Sequence, residues 1–280
     1  MSKNKKIVSR QVGLEIGYIC GKYFLKLDHL HYGYWYDGLK LDVSNLYLAQ
    51  EAYTKFLISN IPDTVKTILD VGCGTGQVAK CLLDKGYEVD CVSPDPYLTK
   101  CAKERLEGKS TIFECPYEQL QTQNRYDMTL FSESFQYIHI EDAAAKCAEV
   151  LNPGGYMLIS DIFRNETKDK GGISGGHSLL KFYDFMGKSV FSKIKDIDIT
   201  NQTAPNMDLM YDVMQNVVKP CSLAANRFLQ SRHPLLVKII LWWYKEKLKK
   251  VNQKYFSDQR TAEKFKKYKS YRLMLYKKNS

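Results

Sequence analysis

Three glycines at every second position, Gly72, Gly74 and Gly76, follow the run Ile68-Leu69-Asp70-Val71. Glycines so spaced let a backbone take positive φ and approach a ligand with no Cβ in the way. The run before them reads as a buried parallel strand. The stretch after them, Gln77-Val78-Ala79-Lys80-Cys81-Leu82-Leu83, has apolar residues at helical spacing. A strand, a tight loop and a helix start together offer unpaired N–H groups and the positive end of a helix dipole. That chemistry suits a nucleotide-like cofactor. The dinucleotide fingerprint wants its third glycine where Gln77 stands, so G-x-G-x-G turns the reading away from dinucleotides.

Other residues could act beside such a loop. His139 follows Ser132-Glu133-Ser134-Phe135-Gln136-Tyr137-Ile138, and His177 follows Gly171-Gly172-Ile173-Ser174-Gly175-Gly176. Either imidazole suits proton removal near neutrality. Each also has a plainer reading, His139 as a residue beside a helix start and His177 as part of a flexible linker. The segment His29-Leu30-His31-Tyr32-Gly33-Tyr34-Trp35-Tyr36 is dense in aromatics and lacks periodicity. Aromatic faces stabilise a cation, and a closing cap excludes water. The same rings could simply pack a loop onto the core.

The elements that must position these residues alternate. Strands are expected at 68–71, 86–93, 110–115, 125–132 and 156–162, with helices at 77–83, 98–106 and 140–151 between them. A further helix at 46–57 precedes them and stops near Pro62. The 140–151 helix is expected to stop at Asn152-Pro153 and turn through Gly154-Gly155. Beyond, 179–186 reads as a helix, 191–200 alternates as a strand, helices are expected at 207–218, 221–230 and 235–256, and 269–276 alternates again. Alternating strands and helices with right-handed crossovers make an α/β fold, a mostly parallel sheet with helices on both faces.

Leu69-Asp70-Val71-Gly72-Cys73-Gly74-Thr75-Gly76 resembles motif I of class I S-adenosylmethionine (SAM) methyltransferases. Leu151-Asn152-Pro153-Gly154-Gly155 before a strand is similar to a later motif of the same family, and Ser132 to His139 resembles its motif IV. The His-Tyr-Gly-Tyr-Trp segment resembles the N-terminal cap of its small-molecule, natural-product and cyclopropane-synthase-like members. These matches cover about residues 30 to 162. The resemblance implies a Rossmann-like seven-stranded sheet with an N-terminal helical cap and a helical lid insertion. It implies SAM as cofactor, with Asp70, Gly72, Gly74 and Gly76 at the donor, Tyr32 from the cap, and Ser132 and Gln136 bordering methyl group and acceptor. It sets Tyr34, His139 and His177 as candidate catalytic groups. Two positions depart from the family. Where an acid ends the second strand stands Ser93, so either Ser93 or the following Asp95 serves the ribose. Where an acid meets adenine stands Pro116, so a backbone group or Tyr117 serves instead.

The implied organisation is a cap segment at 1–60, a SAM-binding core at 61–200, a lid at 201–262 and a last core strand at 263–280. The expected function is methyl transfer to oxygen or nitrogen of a small hydrophobic natural product or lipid-like molecule. Two alternatives stand beside it: a quinone or lipid C-methyltransferase at a membrane surface, and a non-catalytic SAM-binding protein.

The formal net charge of +10 is compatible with an anionic membrane surface, nucleic acid or simple solubility. Lys264, Lys266, Lys267 and Lys269 surround a helix and strand rather than a separate binding module, which argues against nucleic acid. The eight cysteines form no C-x-x-C pair, so no metal site or disulfide framework is expected, and a reducing cytoplasm is the default. No apolar run approaches the roughly 20 residues that span a bilayer. Arg10 and Glu15 interrupt the place where a signal peptide needs its apolar region, after the basic Lys3, Lys5 and Lys6. The 235–256 segment is apolar through Trp242-Trp243-Tyr244 and then rich in lysine. It reads as a peripheral membrane contact or as a helix packed on the sheet with its lysines in water.

Overall fold

The computed structural model describes residues 9–167, 173–256 and 260–279. Helices α1 (Ser9–Leu25) and α2 (Leu46–Ile58) lead into β1 (Thr67–Val71), α3 (Gln77–Leu83), β2 (Glu88–Val92), α4 (Pro96–Leu106), β3 (Ile112–Phe113), β4 (Tyr126–Ser132), α5 (Ile140–Val150) and β5 (Leu151–Arg164). Then come β6 (His177–Ser178), α6 (Leu179–Met186), β7 (Phe191–Asp198), the helices α7 (Thr200–Thr203), α8 (Pro205–Val213), α9 (Lys219–Arg232), α10 (Pro234–Trp243), α11 (Lys245–Tyr255) and α12 (Ala262–Tyr268), and β8 (Lys269–Lys278). Lys3, Lys5, Lys6, Gly171 and Gly172 lie outside the described residues.

The strands form one sheet in the order β3-β2-β1-β4-β5-β8-β7. The first five are parallel, while β8 is antiparallel to both β5 and β7. Short β6 pairs with the end of β5, past the point where β4 stops. Successive strand residues feed opposite faces. Ile68, Met128, Leu130, Leu158 and Leu273 join α2, α3 and α4 on one side through Tyr53, Leu57, Leu82 and Ala102. Leu69, Val71, Phe131, Met157, Ile159 and Met274 meet α5 and α6 on the other through Ala143, Cys147 and Phe182. Both faces are therefore dry, which is why these strands read as apolar runs.

Local chemistry sets the boundaries. Pro96 opens α4 with its fixed φ, and Asp95 accepts from the N–H groups of Tyr97 and Leu98 at 3.0 and 3.1 Å. Three expectations shift. Asn152 to Gly155 form a bulge inside a longer β5, because β4 pairs Tyr126 with Leu151 and then Met128 with Tyr156. The third strand shrinks to Ile112–Phe113. The expected helix over 235–256 breaks at Tyr244, whose φ of −99° and ψ of 9° divide α10 from α11.

The aromatic segment is a strap. Tyr34 N–H donates to Ala49 O at 2.8 Å and Trp35 N–H to Gln202 O at 2.9 Å. Asn206 clamps Gly33 from both sides, Oδ1 accepting from its N–H at 2.9 Å and Nδ2 donating to its carbonyl at 2.7 Å. A Cβ on Gly33 would stand 2.5 Å from Ala49 Cβ, so the strap lies flat on α2 only with glycine there. Gly33→Ala is expected to lower the unfolding free energy by about 1–3 kcal/mol. Gly13→Ala, in open space on α1, is expected to raise it by about 0.5–1 kcal/mol. Urea unfolding of the two variants beside the parent checks both signs.

Candidate active site

A cleft of about 330 Å3 opens at the carboxyl ends of β1 and β4. β1 sits where chain progression reverses, with β2 and β3 on one side and β4 and β5 on the other. Crevices at such points hold ligands in open α/β sheets. Asp70 and the glycine loop form the floor, Ser93, Asp95, Pro116 and Tyr117 one end, Ser132, Glu133 and Ser134 the other, and His29, Leu30 and His31 the roof.

Asp70 is buried, its Oδ2 has no hydrogen-bond partner, and burial pushes its pKa up to about 7. Gly72 and Gly74 have φ of 78° and 57°. A Cβ on Gly72 would lie 2.5 Å from Ser134 Cβ, and Leu30 Cδ1 rests 3.6 Å from where one on Gly74 would be. Ser93 is buried at the cleft wall, and Asp95 has Oδ1 committed to capping α4. Pro116 lines the cleft. Tyr117 does too, but its hydroxyl is 3.3 Å from Cys147 Sγ in the core. Ser132 Oγ lies 3.2 Å from the Tyr53 hydroxyl.

The remaining sequence-derived candidates stand elsewhere. Gly76, φ 77°, is the left-handed N-cap of α3, and a Cβ there would press on Ala102 of α4 at 3.2 Å; its task is packing. Tyr32 presents its backbone N–H to Glu133, and its ring leans on Tyr271, centroids 6.1 Å apart. Tyr34 stacks on Phe56 at 5.1 Å. Gln136 is tied to Asp161, its N–H donating to Oδ2 at 2.9 Å and Nε2 to Oδ1 at 2.8 Å. His177 Nε2 lies within hydrogen-bond distance of the carbonyls of Phe135 and Ile138, at 3.2 and 2.9 Å, and so braces the turn that forms one cleft wall. His139 is exposed at the start of α5 and does not line the cleft.

Residues without an assigned role in the sequence reading occupy those places. Glu133 holds a left-handed φ of 58°, costly for a non-glycine residue. Its Oε1 accepts from Tyr32 N–H at 2.7 Å and from the Tyr271 hydroxyl at 2.8 Å. The Tyr271 hydroxyl is also 2.9 Å from that of Tyr53, which reaches Ser160 at 2.8 Å. Burial pushes the Glu133 carboxyl up to about 8 and that of Asp161 up to about 7. In the roof, burial takes His31 down to about 3, so its ring is neutral. Its Nδ1–H donates to Tyr32 O at 2.8 Å, leaving Nε2 to accept from the Thr54 hydroxyl at 3.0 Å. His29, 2.9 Å away, reaches Glu51 at 3.1 Å through its other nitrogen. An acid beside a strand end was the available signal, in Ser132-Glu133 and Ser160-Asp161 as in Leu69-Asp70.

Residues 69–159 match the protein family described as methyltransferase domain. That stretch, about a third of the chain, is similar to a methyltransferase domain. An uncharacterized methyltransferase of Geobacillus kaustophilus is 30% identical over 111 residues, 38% of this chain and 51% of that protein. A ubiquinone biosynthesis O-methyltransferase of Bradyrhizobium sp. is 29% identical over 123 residues, 41% of this chain and 47% of that protein. The chain thus spans about half the length of the curated relatives it matches. Among solved structures, geranyl diphosphate C-methyltransferase from Streptomyces coelicolor aligns with a TM-score of 0.63 at 16% identity, covering 98% of this chain and 99% of that one. The cyclase SpnF aligns with a TM-score of 0.65 at 14% identity, covering 96% of each. These two likenesses are of fold.

The cofactor of class I methyltransferases is SAM, and this cleft fits it. An unpartnered buried carboxylate oxygen on Asp70 calls for a ligand donor, which the amino and hydroxyl groups of SAM supply. The loop beside it carries no Cβ at Gly72 or Gly74. Asp70, Glu133 and Asp161 all have folded-state values above those of an unfolded chain, near 4. Their contribution to stability is complete below about pH 4 and is lost as pH rises through about 7 to 8. Unfolding free energies of the ligand-free protein are expected to fall from pH 5 to pH 8.5. Glu133→Gln, which keeps Oε1 as an acceptor, is expected to reduce that fall by about 1 kcal/mol or more. Denaturant titrations across the range measure both.

Proposed function

We propose that this chain transfers a methyl group from SAM to a hydroxyl of a small, largely apolar acceptor. The observation that carries the reading is the carboxyl of Glu133, in the wall of the same cleft as Asp70 and the glycine loop. Asp70, Gly72 and Gly74 would hold the donor, with Ser93 and Asp95 toward the ribose and the Pro116-Tyr117 backbone toward adenine. Bound there, SAM supplies a methyl group on a sulfonium, an electrophile whose leaving group is a neutral thioether. The protein's share is orientation, exclusion of water and removal of one proton.

Glu133 takes that proton from the acceptor hydroxyl. Tyr271 and the Tyr32 N–H hold the carboxylate in place, and burial makes it a stronger base than an exposed glutamate. Leu30, His29 and His31 keep water from the donor side. An amine acceptor would need no such base, so a poised carboxylate favours oxygen over nitrogen. Relatives named as ubiquinone biosynthesis O-methyltransferases support the same choice.

Calorimetric titration with SAM is expected to give one saturable site; no binding would end the enzymatic reading. With hydroxylated acceptors, formation of S-adenosylhomocysteine is expected to rise with pH through about 8, the range in which Glu133 loses its proton. Glu133→Gln is expected to lower kcat by about 10²–10⁴-fold, to flatten the pH profile and to leave SAM affinity nearly unchanged. An unaltered kcat with an unaltered profile would remove Glu133 as the base.

A further inference from the structure

We propose that α9, α10 and α11 form an in-plane docking surface for an anionic lipid bilayer. Of the apolar residues of α10 only Val237 is buried. Leu235, Leu236 and Ile239 are 75%, 58% and 58% exposed, and Trp242 and Trp243 are 78% and 76% exposed. Phe228 of the adjoining α9 is 61% exposed. Water-soluble surfaces rarely leave so continuous an apolar patch bare.

Charge identifies the occupant. Lys238 lies within α10, and Lys245, Lys247, Lys249 and Lys250 follow it on α11, all exposed. Along α9 an open cleft of about 500 Å3 is lined by Lys219 and Arg227. The only acid from 219 to 256 is Glu246. A second copy would bring two cationic rims together, whereas anionic headgroups would neutralise them. Tryptophan and lysine are the side chains that settle at a membrane interface, with ring or stem in the acyl region and polar end in water. α10 has ten residues, about 15 Å of helix. No helix among the described residues is long and apolar enough to cross a membrane. The surface therefore lies in the interface, about 5–10 Å deep.

Sedimentation of the full chain with vesicles tests this, using phosphatidylglycerol mixed with phosphatidylcholine against phosphatidylcholine alone. The protein is expected to pellet with the anionic vesicles at low salt and to be released as salt rises. Trp35 is buried, so a blue shift of tryptophan emission on binding reports on Trp242 and Trp243. The W242S/W243S variant is expected to lose about tenfold or more in partitioning. Exchange of Lys245, Lys247, Lys249 and Lys250 for glutamine is expected to lose at least as much, on anionic vesicles only. SAM titration and thermal melting of each variant should match the parent. Absence of pelleting at low salt overturns the proposal, as does equal binding by folded variants. A dimer seen in sedimentation velocity that W242S/W243S abolishes, with no vesicle binding, assigns the face to a second copy instead.

Discussion

Two loops touch at Gly72 and Ser134, and the cleft depends on that contact. β1 and β4 are parallel neighbours that end level with one another, Val71 beside Phe131. The loop after each must leave the sheet at once, and both begin in the same small space. They fit because Gly72 has no Cβ, and because the Ser134 hydroxyl donates to the Val71 carbonyl. Glu133, one residue earlier, takes up the remaining turn with its left-handed backbone. The crossing fixes the distance between the two sides of the cleft, and it turns the Glu133 carboxyl toward Tyr32, Tyr53 and Tyr271.

Three carboxyls then gather at one end of the sheet, all raised by burial. Asp161 also raises Glu133 through charge repulsion, behind burial as the main cause. Hydrogen bonds offset part of the penalty: two donors meet Glu133, and Gln136 answers both oxygens of Asp161. Asp70 keeps an unanswered oxygen. Such groups weaken a fold, and they persist where a ligand or a reaction needs them. The surroundings are tight. Tyr53 and Tyr271 are wholly buried, so the network is closed to solvent behind Glu133 and meets the cleft at that carboxyl.

Much of this was legible along the chain. The glycine loop, the apolar strands and the helix starts are local features, governed by backbone geometry and by periodicities of two and 3.6 residues. Even Asn152 to Gly155 stood out, although the chain bulges there within β5 rather than turning ahead of it. Side-chain roles were less legible. Gly76 has the spacing of a ligand-facing glycine, yet α4 packs against it. Tyr34 belongs to the expected cap, yet its ring stacks on Phe56. His139 and His177 have the right chemistry, but one faces solvent and the other braces a turn. The apolar run of α10 foretold a helix without foretelling that, of its apolar residues, only Val237 is covered by the described residues.

By itself, the sequence determined the cofactor loop and the class of fold, because glycine spacing and alternating apolar runs act within a few residues. Only the tertiary structure decided which acid faces the cleft. Glu133 meets Tyr32, 101 residues away, and Tyr271, 138 residues away. No local pattern encodes those meetings. They follow from parallel strand order, the strap over α2, and the antiparallel return of β8 beside β5. A carboxyl's proton affinity follows from what is packed around it, so its chemistry was set last, by contacts distant in sequence.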